Sequence, residues 1–157
     1  MFEKAGRYKV TIQDAYCAER SNFPDTPQNA INIAVEVQEI DGPGEGAWTG
    51  EVSDRYGIGN ASGKQQTQMT AEALIATGWT ANGMDAPALI KFIETAHHRE
   101  DYPAIDALLE SMRGQETTVS VEETKKGALV IKYLGGGAWK PKRLVPRNGD
   151  PVANPFA

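Results

Sequence analysis

The hydrophobic period of this chain changes twice, and that constrains the fold more than any other feature. Residues 6–15, "GRYKVTIQDA", alternate: Tyr8, Val10 and Ile12 share one face, and Arg7, Lys9, Thr11 and Gln13 the other. Period two predicts a half-buried strand. A polar loop with Pro24 and Pro27 follows, and "AINIAVEVQEI" then repeats the pattern with Ile31, Ile33, Val35 and Val37 inward. The turn cluster "DGPGEG" leads into "AWTGEVSDRY", a third strand interrupted by Gly50. A glycine there predicts a bulge or a sharp bend.

From about residue 66 to 113 the period is helical. "TQMTAEALIATG" predicts a helix with Met69, Ala73 and Leu74 on its inner side and Gly78 as the C′ residue. Asp85 predicts an N-cap, with Pro87 in the first turn and an inner stripe of Leu89, Ile90, Phe92, Ile93 and Ala96. A short third helix after Asp101 presents Ile105, Leu108, Leu109 and Met112 and stops at Gly114. Trp79 is expected to pack this helical insertion. Alternation returns in "ETTVSVEET", with Thr117, Val119 and Val121 on one face. "KKG" and "ALVIKYL" complete a hairpin over residues 116–134.

Three strands, a helical insertion and two strands make a mainly β, α+β chain. This is the order of a five-stranded OB-fold-like barrel with its helices between strands three and four. Other five-stranded α+β arrangements fit the same string. Residues 1–134 read as one domain. Residues 135–157 read as a Gly/Pro-rich basic tail, in which Pro141, Pro146, Pro151 and Pro155 oppose regular structure.

Several function classes are excluded. Cys17 is the only cysteine, so no internal disulfide forms. With His97 and His98 it does not make a four-ligand zinc set, and the adjacent histidines read as solvated. No metal or cofactor is expected. No apolar run reaches the ~20 residues of a membrane span, and no leader is visible, so the expected compartment is the cytoplasm. "YGIGNASGKQQT" has the outline of a phosphate loop but not its chemistry. Anchored on Gly63-Lys64, the P-loop pattern puts Ile58 where its first glycine belongs and Gln65 where its Mg²⁺ hydroxyl belongs. The dinucleotide pattern fails at Ser62. No catalytic constellation emerges: Glu122 and Glu123, for example, point to opposite faces of a strand. The chain does not read as an enzyme.

Charge is segregated. Residues 125–149 hold seven basic residues and no acid. The remaining nine basic residues face all 21 acids, so the rest of the chain carries −12. The block is either a local anion-binding surface or an ordinary solubilising hairpin and tail. Single-strand nucleic-acid binding needs cations that track phosphates and aromatic faces on which bases stack. The block interleaves both: Lys132, Tyr133, Trp139, Lys140, Lys142, Arg143 and Arg147, with Lys125 and Lys126 at the hairpin turn. OB-folds bind through strands two and three and adjoining loops. Trp48, Arg55 and Tyr56 on or after the third strand are therefore candidates, and Lys64 could touch a phosphate. Core packing competes with stacking for Tyr133 and for Trp48, which is in phase with Val52.

The opening Gly6-x-Tyr8-x-Val10-x-Ile12 resembles the start of phage-encoded OB-fold single-stranded DNA-binding proteins. "LLESMRGQETTVSVEETKKGALVIKYL" is similar to that family's second half: a helix, a glycine, a Val-x-Val strand, a turn and a closing strand. The resemblance spans most of residues 6–134. It implies non-catalytic binding of single-stranded DNA in phage replication or recombination, in the host cytoplasm. Many such proteins end in a long acidic tail with a terminal aromatic. Here Pro155-Phe156 is present, but Asp150 is the tail's only acid. Docking of a replication or recombination protein on that tail is a further expectation, and a homo-oligomer fits the sequence. Two alternatives stand beside this reading. The acidic body favours a phage protein-interaction module binding a host or replication protein, and residues 57–65 would have to serve any nucleotide-dependent enzyme.

Overall fold

β1 (Gly6–Ala18) is the spine of the molecule, and both neighbouring strands hydrogen-bond to it. The structure, a computed structural model, describes residues 1–20, 29–53, 63–131 and 142–146, with side chains in the first helix described from Gln66 onward. β2 (Ile31–Glu39) runs antiparallel to β1, and β3 (Glu45–Val52) antiparallel to β2. β4 (Glu116–Glu123) pairs antiparallel with the first half of β1, and β5 (Leu129–Ile131) with the end of β4. The sheet order is β3-β2-β1-β4-β5, and β3 approaches β5. The result is a five-stranded, antiparallel, nearly closed OB-fold-like barrel. The long connection from β3 to β4 carries α1 (Gly63–Ala76), α2 (Ala86–His98) and α3 (Tyr102–Leu109).

The expected inward residues fill the barrel. Val10, Ile12, Ile33, Val35, Val37, Val119 and Val121 are buried in one cluster with Leu89, Ile93, Ile105, Leu109 and Met112 from the helices. Phe2 joins it beside Tyr8, with ring centroids 4.7 Å apart. The predicted cap forms, with Asp85 accepting from the Ala88 N–H at 2.9 Å, and Asp101 caps the third helix in the same way, accepting from the Ala104 N–H at 3.3 Å. Trp79 is buried, and its Nε1–H donates to Ser111 Oγ at 2.9 Å.

Three expectations are corrected. The bulge is not at Gly50, because the β2–β3 register runs without a break from Ile31↔Val52 to Gln38↔Glu45. It lies in β1, where the register shifts between Ile12 and Asp14 and leaves Gln13 as the extra residue. Gly50 instead makes room for α1. A Cβ there would sit 2.6 Å from Thr70 Cγ2, so only glycine lets the helix approach this strand. On the inner face of α1 Leu74 is buried as expected, but Met69 and Ala73 are not. Thr67, Thr70, Ala71 and Leu74 are buried, and Met69 is 47% exposed. His97 is buried on the inner side of α2 with Leu89, Ile93 and Ala96, while His98 is exposed.

The threonines explain the odd face of α1. Thr67 Oγ1 accepts from the Ser53 N–H and donates to the Ser53 carbonyl, both at 3.0 Å. Thr70 Oγ1 donates to the Glu51 carbonyl at 2.8 Å. Hydroxyls thus take the place of a strand along this end of β3, a sheet edge covered by a helix.

Candidate nucleic-acid interface

The bulge at Gln13 decides what the outer face of the barrel carries. One extra residue inverts the alternation of β1 beyond it. Ala15 and Cys17 therefore join the inner cluster, while Tyr16 and Ala18 turn outward and form a second cluster with Ala34. Register places Asp14 opposite Glu36, Tyr16 opposite Ala34 and Ala18 opposite Asn32. β3 continues this face with Ala47, Thr49 and Glu51. The face is small, polar and acidic around one aromatic ring. Burial raises the Glu51 carboxyl above its ordinary value.

The cation on this face comes from the tail. Lys142–Leu144 runs antiparallel alongside the second half of β1, with a bridge between Arg143 and Ala18. The Glu19 N–H donates to the Lys142 carbonyl at 2.9 Å, and the Leu144 N–H to the Cys17 carbonyl at 3.0 Å. Leu144 packs inward against the core. Arg143 turns outward, with Cζ 4.2 Å from the Tyr16 ring centroid and Nη2 paired with Asp14 Oδ2. Asp14 Oδ1 also pairs with Arg113 Nε at 3.1 Å and accepts from the Ala15 N–H at 2.9 Å. Lys142–Leu144 is thus docked on the barrel.

The structure divides the predicted site residues. Trp48 lies on the inner face opposite Val35 and is 3% exposed, so of its two sequence roles it takes the core. Its ring borders a cleft of about 550 Å³ between α1 and β4, which Arg7, Thr77, Thr118 and Ser120 also line. Lys125 and Lys126 are exposed at the tip of the β4–β5 turn, which the Thr124 N–H closes by donating to the Ala128 carbonyl at 2.7 Å. Lys142 is exposed and Arg143 partly buried. The two groups lie toward opposite ends of β1: β4 leaves toward the lysine turn past Val121↔Gly6, while Arg143 bridges Ala18. At about 3.3 Å per residue that is up to roughly 40 Å of strand. Arg55, Tyr56, Lys132, Tyr133, Trp139, Lys140, Arg147 and the side chain of Lys64 lie outside the described residues, as does the glycine pattern of residues 57–62.

Tyr16 is the residue the sequence reading missed. It lies one position past the segment read as the first strand. The signal was the change of parity from Tyr8, Val10 and Ile12 to Ala15 and Cys17, which requires one extra residue. Among the described residues, no group of three or more His, Cys, Asp or Glu side chains could hold a metal ion. No helix among them is long and apolar enough to cross a membrane. Compared with protein-family models, curated proteins and solved structures, the chain finds no significant match.

Proposed function

We propose that this protein binds single-stranded DNA, without catalysis and with little sequence preference, in phage replication or recombination. The observation that carries the reading is the outer face of the OB-fold-like barrel, where Arg143 from the basic block lies over Tyr16. This is the face and the chemistry by which OB-folds take single strands: a guanidinium for phosphate and an aromatic ring for a base. Exposed Lys125, Lys126 and Lys142 supply further phosphate contacts. Binding should be driven by counterion release and stacking.

Titration of a fluorescent oligothymidine at two salt concentrations tests this. Affinity should fall steeply with salt, and double-stranded competitor should displace the oligonucleotide poorly. Replacing Lys125 and Lys126 together with glutamine should flatten the log–log salt slope by about 1.4, at about 0.7 per phosphate contact on a single strand. No binding at low salt sinks the proposal. That outcome would favour a protein-interaction module, which the carboxylates of Glu36 and Glu51 on the same face support. A protein partner retained after nuclease treatment would establish it.

A further inference from the structure

The cleft of about 550 Å³ between α1 and β4 gathers hydrogen-bond donors that have no acceptor. Arg7 lines it directly opposite Ser120 in the β1–β4 register, with Thr118 two residues along the same strand face. Arg7 is exposed, and among the described residues it has no ion-pair or hydrogen-bond partner. Trp48 lines the cleft from the inner face of β3 and is 3% exposed. Its Nε1–H donates to no described group, yet it is not one of the polar atoms sealed from solvent. A buried indole N–H usually has an acceptor, as Trp79 has in Ser111. No acid lines the cleft among the described residues, although the chain as a whole carries −5.

The opposite wall is apolar. Ala73 and Ala76 line the cleft from α1, and Met69 lies one turn earlier on the same helix face. Met69 and Ala76 are exposed and Ala73 is half-buried, so the core leaves this stripe out. The volume falls in the range of about 300–1,000 Å³ typical of small-molecule sites, which pair apolar walls with a few placed polar groups. We propose that this cleft binds a small apolar carboxylate carrying a second acceptor oxygen. The carboxylate takes Arg7 and the Ser120 hydroxyl, the apolar body lies against Ala73 and Ala76, and the second oxygen accepts from Trp48 Nε1–H. A guanidinium and a carboxylate match in charge and in planar geometry. A mononucleotide's phosphate dianion fits less well, because no second cation lines the cleft among the described residues. The site does not depend on DNA binding and stands whether or not oligothymidine binds.

A proton–nitrogen NMR titration of the full chain with 6-hydroxynaphthalene-2-carboxylate tests this. The Trp48 Nε1–H and the Ser120 and Ala76 amides should shift together and saturate; no shift at these groups at millimolar concentration overturns the proposal. Arg7→Gln should lose about tenfold in affinity, the size of a hydrogen bond to a charged group. Lys91→Gln removes the same charge from the exposed side of α2 and should lose distinctly less; equal losses overturn the assignment to Arg7. Ala76→Phe fills the cleft from an exposed position and should abolish the Trp48 shift while denaturant unfolding stays near wild type. Unchanged affinity in that variant overturns the location. Thymidine monophosphate should bind more weakly than the naphthoate; equal or tighter binding overturns the carboxylate as the ligand class.

Discussion

α1 and α2 are neighbours of nearly equal length, 14 and 13 residues, yet they are held by different chemistry. α2 buries Leu89, Ile93 and Ala96, an aliphatic stripe at helical spacing. α1 buries Thr67 and Thr70 beside Ala71 and Leu74, and its hydroxyls bond to the backbone of β3. The difference follows from what each helix meets. α2 and α3 complete a hydrophobic core, whereas α1 lies along an unfinished strand whose backbone groups need hydrogen-bond partners. A buried backbone N–H or C=O left without one is costly. An aliphatic face on α1 would cover that edge without satisfying it.

Substitutions that attack one helix at a time test the contrast. Ile93→Ala should destabilise most, by about 2–5 kcal/mol in denaturant unfolding, because it opens a cavity in a closed core. Thr67→Val keeps shape but removes both hydrogen bonds to Ser53, and should cost roughly 1–3 kcal/mol; a cost near zero would mean that α1 is held by packing alone. Gly50→Ala should also cost about 1–3 kcal/mol through overpacking against Thr70. Adding Thr70→Ala should recover part of that loss, and a double-mutant cycle would read the coupling. Met69→Gln, on the solvent side of α1, should change stability by less than about 0.5 kcal/mol.

The smallest expected effect concerns pH. Burial lifts the Glu51 carboxyl above its unfolded value, so folding opposes its ionisation. The penalty is absent where the carboxyl is protonated in both states, and it develops as pH rises through the carboxyl range to the folded value. Glu51→Gln should therefore be slightly more stable than wild type at neutral pH, and the gain should vanish in acid. A gain that grew in acid would contradict the shift.

The sequence reads well where apolar residues repeat. The order of strands and helices, the cap at Asp85, and the core stripes of α2 and α3 all lie in local pattern. It reads poorly where a polar group or a glycine answers to a distant partner. Thr67 and Thr70 are inward because β3 needs acceptors and donors there, which no helical periodicity encodes. Gly50 looks like a bend until Thr70 is placed against it. His97 looks solvated until α2 is docked. The candidate face was legible only in part. The basic block announced Lys142 and Arg143, but Tyr16 depended on a one-residue bulge, and the pairing of Arg143 with Asp14 spans most of the chain.

β1 is longer than either partner on its β4 side. β4 covers it from Gly6 to Thr11, and Lys142–Leu144 covers it again at Cys17–Glu19. A chain cut before Lys142 would leave the Cys17 carbonyl and Glu19 N–H without these strand partners. Bare strand ends of this kind template pairing with another chain. The shortened protein should therefore self-associate as its concentration rises, whether or not it still binds DNA.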